Sequence, residues 1–285
     1  MVILLERKQS MIIGVVGLGL IGGSFCRAVK AKTRHQCLGL DQDFNVLEEA
    51  LKIGAIDGIL EVQELQNCDL VIVCLHPKQT ISFLTEHAGD FKKGGIVIDT
   101  CGIKTAVVEA VEDPLRQNGV TFIGAHPMAG REFSGFFYSL PDLYEGASFI
   151  MTPSPDVDSE KLEVVRNLAK ALGFSRIVLT DCQTHDETIA FTSQIAHVIS
   201  NAYVKSPTLQ NQSGFSAGSY QDLSRVAKLN EDMWTDLFLM NQQPLLFELN
   251  TVIEHLQEYR NALERQDAEG LRGLLRDGRI LKENA

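Results

Sequence analysis

The sequence lacks an excess of basic residues, a long apolar run and any CxxC pair of cysteines. Acidic residues outnumber lysine and arginine by 37 to 26, which gives a formal charge of −11. This argues against a nucleic-acid partner, because such a partner needs a basic patch. The longest apolar stretches, such as residues 12–20, are far shorter than the roughly 20 residues of a membrane span. The sequence therefore predicts a protein that binds neither nucleic acid nor a membrane.

The N-terminal residues and the positions of cysteine, glycine and proline predict where the protein is located and how it divides into domains. The six cysteines lie mostly in apolar runs, so we expect buried, reduced thiols, and we predict no metal site. Glu6, Arg7 and Lys8 stand where a signal peptide needs an apolar core, which favours a cytoplasmic protein. Only five of 23 glycines and two of eight prolines lie after residue 180. Because these residues mark turns, we predict a turn-rich domain over residues 1–180 and a helical domain over residues 181–285.

The first domain shows short apolar runs separated by helical patterns. The predicted strands are Met11–Gly17, Gln36–Asp41, Leu70–Leu75, Gly95–Asp99, Val120–Gly124 and Arg176–Leu179, with a further apolar segment at Ser148–Met151. Predicted helices include Ser24–Lys30, Asn45–Ile53 and Ser159–Leu172. Strands that alternate with helices predict parallel βαβ units with right-handed crossovers.

The second domain has a helical period. We predict helices over Thr184–Lys205, Leu223–Leu229 and Trp234–Arg260. The stretch Met240–Leu256 contains more apolar residues than one small bundle buries. This favours a homodimer through the helical domain, and a tightly packed monomer is the alternative.

A GxGxxG motif follows the first predicted strand and opens a helix. Gly17 makes the tight turn, Gly19 lets backbone amides approach a pyrophosphate, and Gly22 lets helix and strand pack closely. The helix start, with Leu20 and Ile21, supplies amides and a positive dipole for the phosphates. The context favours a Rossmann-type dinucleotide-binding domain over a purely structural glycine turn.

Asp41 ends the second predicted strand, 19 residues after Gly22. An acid at this place hydrogen-bonds the adenosine ribose and repels a 2′-phosphate, so NAD is favoured over NADP. An incidental aspartate is the alternative reading. The predicted fold class is α/β, with a Rossmann-type parallel sheet followed by an all-α dimerisation domain.

Substrates in such sheets bind beyond the carboxyl ends of the strands. Leu75 and His76 follow the third strand and Thr100 follows the fourth, so we predict that all three contact the cofactor. His126 follows the fifth strand and is suited to accept a hydroxyl proton near neutral pH, because an ordinary histidine has a pKa of about 6.5. A structural histidine is the alternative.

Arg225 in the helical part is a candidate for gripping a carboxylate, since its guanidinium binds carboxylates in a bidentate manner. The alternative is a salt bridge to Asp222 within a helix. His185 and His197 lie 12 residues apart, which does not place them on one helix face.

Several segments occur together in an order and spacing that resembles the prephenate/arogenate dehydrogenases of tyrosine biosynthesis. They are GLGLIGGS, DTCGIK, AHPMAGREFSG, HDETIAFTSQIAHVI and SYQDLSRVAKLNEDMW. The resemblance extends from about Ile12 to Asn241, and the HPMAG-x-E-x-SG segment is its most specific part. It implies an oxidative decarboxylation of prephenate, or of its amino analogue arogenate, with NAD(P), and a homodimer formed by the helical domain. Because Asp41 favours NAD, the predicted reaction is the NAD-dependent conversion of prephenate to 4-hydroxyphenylpyruvate.

The resemblance also implies roles for individual residues. His126 matches the histidine that accepts the proton of the ring hydroxyl, and Arg225 matches the arginine that holds a substrate carboxylate. His197, Glu132 and Trp234 match residues that lie close to the substrate.

Three positions depart from the family pattern. The family often has a serine, touching both the histidine and the nicotinamide, where this chain has Gly102; Cys101, Thr100, a water or another orientation of His126 would have to compensate. The family's SHLPH reads Ser193 to His197 as SQIAH, and GGFRD reads Gly218 to Asp222 as GSYQD, which loses a cation. The last change weakens the choice of prephenate over arogenate.

Three competing functions stay open. Arogenate oxidation is the first, and a β-hydroxyacid-type dehydrogenase with a catalytic lysine is the second, for which Lys205 and Lys228 lack the expected glycine-rich helix. A non-catalytic NAD-binding sensor is the third, favoured only by the missing serine at Gly102. Because the chain ends soon after the last predicted helix, we expect no separate regulatory domain, although tyrosine could compete at the active site.

Overall fold

The structure is a computed structural model that describes residues 10–285. The charged residues 6–8, on which the predicted location depends, lie outside the described residues. The chain divides into two compact units. The first contains the residues up to Asp186 together with Lys228–Met240, and the second contains Glu187–Ala227 and Asn241–Ala285. The boundary at residue 180 stays a prediction.

The first unit contains one sheet of eight strands. The strands are β1 (Ile12–Val16), β2 (Gln36–Leu40), β3 (Gly58–Ile59), β4 (Leu70–Val73), β5 (Ile96–Asp99), β6 (Thr121–Pro127), β7 (Ser148–Thr152) and β8 (Arg176–Leu179). Their order is β3-β2-β1-β4-β5-β6-β7-β8, which is the doubly wound order with two added strands. The order reverses between β1 and β4, where dinucleotides bind in this fold class.

One strand pairing departs from the predicted parallel arrangement. In the described chain six of the seven pairings are parallel, and β6 pairs with β7 in antiparallel orientation. A parallel neighbour needs a crossover element, whereas an antiparallel neighbour does not. Residues 128–147 between β6 and β7 contain only the short 3₁₀ turn Phe136–Tyr138, so β7 returns antiparallel.

Helices cover the sheet and form the second unit. They are α1 (Leu20–Lys32), α2 (Phe44–Lys52), α3 (Pro77–Glu86), α4 (Thr105–Gln117), α5 (Ser159–Leu172), α6 (Cys182–Ile189), α7 (Ile195–Tyr203), α8 (Gly218–Ser224), α9 (Glu231–Met240), α10 (Gln242–Glu264) and α11 (Ala268–Asn284). Their ends follow local rules. Asp43 caps α2 by accepting a hydrogen bond from the Asn45 backbone, and Gly173 ends α5 in the left-handed conformation at φ +107°.

The core lies on both faces of the sheet. Alternate residues of β4 enter two different apolar clusters: Leu70 and Ile72 pack into one, and Val71 and Val73 into the other. Successive side chains of a strand point to opposite faces. The continuous apolar runs of the sequence therefore reflect strands that are buried on both sides.

The helical second unit differs in detail from the prediction. The predicted helix over Trp234–Arg260 is interrupted at Asn241, which separates α9 in the first unit from α10 in the second. The buried Asn241 side chain donates to Gln194 Oε1 at 2.8 Å, which holds the break. The predicted helix over Leu223–Leu229 is wrong in its bounds, because α8 ends at Ser224 and a 3₁₀ turn follows over Arg225–Ala227.

No helix within residues 10–285 has the length and apolar character needed to cross a membrane. All six cysteines fall in this range and are free thiols, four of them buried.

Candidate active site

The glycine loop connects β1 to α1 and has no room for side chains at two of its positions. Gly17 has φ +84°, and a Cβ there would lie 2.7 Å from the Cys74 carbonyl oxygen. A Cβ on Gly22 would lie 1.9 Å from the Gly17 carbonyl oxygen, which is a severe overlap. Gly19 is different, because a Cβ there meets no atom within 4 Å. The first and third glycines therefore permit the turn, and the second leaves open space beside the backbone.

The open space lies at the start of a helix. Gly19 is the N-cap of α1 and offers no side-chain cap, so the first backbone N–H groups of the helix are available to a ligand. Leu20 and Ile21 form the first turn and are partly buried. The positive end of the helix dipole at this point favours an anion such as a pyrophosphate.

Asp41 follows the last residue of β2 and contacts the glycine loop. Its carboxylate accepts a hydrogen bond from the Leu18 backbone at 2.6 Å and another from the Asp43 backbone at 2.9 Å. Asp41 also lines a cavity of about 350 Å³. The other lining residues are Val16, Gly17, Leu40, Gln42, Leu75, Gln79, Ser82, Phe83 and Glu86.

The predicted cofactor residues thus divide into two groups. Gly17, Asp41 and Leu75 line the cavity, and the rest of the predicted set lies outside its lining. His76 is exposed at the N-cap of α3. Thr100 Oγ1 donates to the Val73 carbonyl oxygen at 3.3 Å, next to the carboxyl ends of β4 and β5.

His126 lies near the carboxyl end of β6 and belongs to a hydrogen-bonded chain. Its Nδ1 is 3.0 Å from Nε2 of His185, and Nδ1 of His185 is 2.7 Å from Oδ1 of Asp186. The Asp186 carboxylate also accepts the backbone N–H groups of Lys104 and Thr105, each at 2.8 Å. We call His126, His185, Asp186 and Lys104 the His126 cluster.

A buried ion pair holds the strand ends beside this cluster. The fully buried Lys104 ammonium donates to the Asp99 carboxylate and, at 2.6 Å, to the Ala125 carbonyl oxygen. Asp99 in turn accepts the backbone N–H of Ala125 at 2.9 Å and of Cys101 at 3.0 Å. Every polar atom of the pair is therefore bonded, as a buried charge requires. The pair ties the end of β5 to the strand that carries His126.

The environment lowers the proton affinity of His126. Burial is the largest cause, and the neighbouring His185 and Lys104 add to it, while Asp186 acts in the opposite direction. The pKa of His126 lies well below the ordinary value of 6.5 as a result. The imidazole is therefore neutral at neutral pH, which is the form that accepts a proton.

The second unit brings together two other predicted residues. His197 Nδ1 donates to the Val226 carbonyl oxygen at 2.9 Å, next to Arg225 in the sequence. Burial lowers the pKa of His197; its bond to Val226 works against this, and the Arg225 charge adds to the lowering. Arg225 itself is exposed.

The last two predicted substrate residues belong to the first unit. Glu132 is exposed in the segment between β6 and the turn Phe136–Tyr138. Trp234 lies on α9, with its ring centroid 5.3 Å from that of Phe238. Trp234 was expected in the helical domain, yet the chain returns to the first unit over residues 228–240.

The sequence did not point to His185 and Asp186 as members of the site. His185 contacts a residue 59 positions away, and no local pattern records that pairing. The available signal was their place at the start of the HDETIAFTSQIAHVI segment, where a histidine is followed directly by an aspartate. Across residues 10–285 no group of three or more histidine, cysteine, aspartate or glutamate side chains is placed to hold a metal ion.

Comparison with known proteins identifies the family. A family model described as "Prephenate dehydrogenase, nucleotide-binding domain" matches residues 25–179, and one described as "Prephenate dehydrogenase, dimerization domain" matches residues 181–277. The chain belongs to the prephenate dehydrogenase family.

Individual members of the prephenate dehydrogenase family are similar over nearly the whole chain. A prephenate dehydrogenase of Lactococcus lactis is 28% identical over 279 residues, covering 94% of this chain and 76% of the relative. The crystal structure of Synechocystis arogenate dehydrogenase is 26% identical, with a TM-score of 0.81 over 96% of this chain and 99% of that one. The prephenate dehydrogenase of A. aeolicus, solved with hydroxyphenyl propionate and NAD+, is 25% identical, with a TM-score of 0.84 over 98% and 99% of the two chains.

Proposed function

We propose that the chain is an NAD-dependent prephenate dehydrogenase of tyrosine biosynthesis. It would convert prephenate to 4-hydroxyphenylpyruvate by oxidation at the ring hydroxyl and loss of carbon dioxide. Membership of the family supports the reaction, and the similarity to a relative solved with NAD+ and a hydroxyphenyl ligand supports the substrate class. The observation that carries the proposal is the position of His126, hydrogen-bonded to His185, at the carboxyl edge of the sheet that also bears the glycine loop.

The residues of the first unit fit a dinucleotide. The open space at Gly19 admits a pyrophosphate against the start of α1, and the cavity beside Asp41 admits the adenosine half. Asp41 has accepting capacity left for ribose hydroxyls, because a carboxylate offers about four lone-pair sites and two are occupied. The proposed contacts with the dinucleotide also include Leu20, Ile21, Gly22, Leu75, His76 and Thr100. NAD, when bound, supplies the hydride acceptor.

His126 is the proposed general base. It would accept the proton of the substrate hydroxyl at the ring nitrogen that does not face His185. Removal of that proton pushes electron density into the forming carbonyl, which assists oxidation at the same carbon. A positioned general base contributes typically about 10²–10⁴-fold, so positioning of the substrate supplies much of the remaining rate.

The substrate carries two carboxylates and needs cations in a protein of formal charge −11. Arg225 is the proposed carboxylate ligand, because it is exposed and its guanidinium forms a planar fork. His197, beside Arg225 in the second unit, is proposed to bind the substrate through Nε2, since its Nδ1 is engaged by Val226. Glu132 and Trp234 are proposed to line the substrate site.

Arogenate is the second candidate substrate. The similarity to Synechocystis arogenate dehydrogenase supports it. Gln221 also stands where the family pattern has an arginine, and the loss of that cation suits the ammonium of arogenate. Prephenate remains the preferred substrate because its side chain is anionic and Arg225 is retained.

A paired assay tests the proposal. Purified protein is given NAD or NADP with either prephenate or arogenate, and NADH or NADPH formation is followed by absorbance. We expect turnover with prephenate and NAD that exceeds the other three combinations. Preference for arogenate would replace the substrate assignment, and tight NAD binding without turnover on either substrate would support the sensor instead.

We also propose a homodimer through the helical domain. The matched family model of residues 181–277 is a dimerization domain. Long apolar side chains of α10 and α11 are exposed, including Phe247 at 69%, Leu263 at 62% and Leu281 at 73%. Light scattering after size exclusion tests this, with twice the chain mass of 31.5 kDa expected. A cytoplasmic location stays a prediction.

A further inference from the structure

The base role of His126 depends on which ring nitrogen carries its proton. A neutral histidine has one N–H, on Nδ1 or on Nε2, and only the other nitrogen accepts a proton. His126 Nδ1 faces His185. Nε2 faces Gly102, where an added Cβ would lie 3.8 Å from it, in ordinary van der Waals contact. A productive base therefore needs its proton on Nδ1.

Asp186 determines the direction of the hydrogen bonds. Burial raises its pKa, but the bonds from His185, Thr105 and Lys104 outweigh this and leave the pKa below its usual value. The carboxylate is ionised and has no proton to donate. The proton in the 2.7 Å bond between His185 and Asp186 therefore belongs to Nδ1 of His185.

The remaining assignments follow in order. A His185 ring that carries only the Nδ1 proton presents its Nε2 lone pair to His126. His126 must then donate to it from Nδ1 across the 3.0 Å contact. Nε2 of His126 is left without a proton, on the side that faces Gly102.

Cys101 and Thr100, the side chains that could replace the family serine at Gly102, form hydrogen bonds with groups other than His126. Cys101 Sγ lies 3.4 Å from Thr80 Oγ1 and 3.7 Å from the Leu75 carbonyl oxygen. Thr100 Oγ1 donates to the Val73 carbonyl oxygen. Within the His126 cluster, the group hydrogen-bonded to the His126 ring is His185. Asp186 is bonded to the far side of the His185 ring, and the Lys104 ammonium is bonded to Asp99.

We propose that His185 and Asp186 are positioning residues that hold His126 in the tautomer with its proton on Nδ1 and its lone pair on Nε2 directed at the substrate. The role as a base rests on the proposed function, whereas the tautomer does not. When His126 takes up a proton, its new positive charge is bonded to His185, which is itself bonded to an ionised carboxylate. A buried aspartate orients the histidine of serine proteases through one hydrogen bond, and removing it lowers kcat by about 10⁴-fold. In this chain Asp186 is bonded to His185, and His185 is bonded to His126.

Nitrogen NMR of the histidine-labelled protein with bound NAD tests the tautomer directly. Spectra at about pH 8 distinguish protonated from unprotonated ring nitrogens, and His126→Asn and His185→Gln assign the signals. We expect both rings to carry the proton on Nδ1. A proton on Nε2 of His126 would overturn the proposal. The spectra are recorded on the unaltered protein and His126→Asn alone assigns the His126 signals, so the measurement decides the tautomer of His126 even if substitutions at the buried His185 prevent folding.

Two substitutions of His185 test the positioning role. His185→Leu removes the acceptor for His126 Nδ1, and we expect kcat to fall about 10²-fold while KM and the NAD Kd stay within about twofold. His185→Gln places an amide oxygen that accepts the same bond but does not titrate, so kcat should lie within about tenfold of the original. His87→Leu is the matched control, since it removes a histidine bonded to a carboxylate, Asp90, outside the His126 cluster.

The outcomes separate this proposal from the proposed function. A leucine variant with kcat within about threefold of the original would overturn the positioning role. A glutamine variant as slow as the leucine variant would overturn it too, because the position would then need a titrating group. The expected tautomer without turnover on prephenate or arogenate would instead contradict the proposed function and leave the tautomer assignment standing.

Discussion

The backbone N–H of Leu18 donates to the Asp41 carboxylate at 2.6 Å. The residue expected to select the cofactor is thereby bonded to the loop expected to bind its phosphates. Asp41 has two functions in one side chain: it holds the loop through one oxygen and offers its remaining acceptor capacity to the ribose.

Substitutions of Asp41 separate these functions. In Asp41→Asn an amide oxygen still accepts from Leu18, and the negative charge that repels a 2′-phosphate is lost. We expect the ratio of kcat/KM for NADP over NAD to rise about tenfold or more, with NAD affinity largely kept. Asp41→Ser loses the bond to Leu18 as well and should also weaken NAD. Asp43→Asn, at the cap of α2, is the control. An unchanged NADP-to-NAD ratio in both Asp41 variants would mean that other residues bind the adenosine ribose.

The glycine loop offers a pair of substitutions with different expected effects. Gly19→Ala adds a methyl group in open space, so we expect at most about 1 kcal/mol of lost stability but an NAD Kd raised about tenfold or more. Gly22→Ala drives a Cβ into the Gly17 carbonyl oxygen and should cost about 3 kcal/mol of stability. Thermal unfolding and NAD titration distinguish the two, and Gly273→Ala on α11, also in open space, should leave NAD binding unaltered. Normal NAD affinity in Gly19→Ala would argue against pyrophosphate at this point.

His126→Asn removes the proposed base. We expect turnover to fall by about 10²-fold or more while NAD affinity stays within about twofold, because the general base acts only in the chemical step. Steady-state kinetics and NAD titration measure the two effects. His255→Asn, on an exposed face of α10, provides the matched control. Near-normal turnover in His126→Asn would remove the base assignment.

The pH dependence of kcat/KM follows from the lowered pKa of His126. The neutral form is the active one, so lowering the pKa extends activity towards acid. We expect a plateau through neutral pH and a decline only as the pH falls through a value below 6.5. An NAD Kd that is constant over the same range excludes cofactor loss as the cause of the decline. A midpoint at or above 6.5 would contradict the environment described for His126.

Arg225→Ala tests the carboxylate site. The loss of charge-assisted hydrogen bonds should raise KM for prephenate about 10- to 100-fold, with a smaller effect on kcat. Arg260→Ala is the control, because Arg260 is an exposed arginine of the same unit whose Nε bonds to Glu264 at 2.9 Å. An unchanged KM in Arg225→Ala would place the substrate carboxylates elsewhere.

Local patterns accounted for much of the first unit. The run Leu70–Val73 forms a strand because each of its side chains enters an apolar cluster on one face or the other. The glycine loop could be predicted from the sequence because the steric exclusion of side chains at Gly17 and Gly22 depends on a few neighbouring residues. The antiparallel pairing of β7 was missed, because a sheet's pairing direction depends on the path of the chain rather than on the composition of the strand.

The sequence by itself determined the family, the strand-rich first part, the dinucleotide motif and His126 as the candidate base, because these depend on residues close together or on ordered motifs. Tertiary structure alone decided that His185 and Asp186 stand behind His126, that α9 returns to the first unit, and that Asn241 separates α9 from α10. The physical reason is the same for the contact behind His126 and for the break at Asn241. A hydrogen bond between residues 47 or 59 positions apart forms only when the folded backbone brings them within about 3 Å, and no periodicity of the sequence encodes that approach.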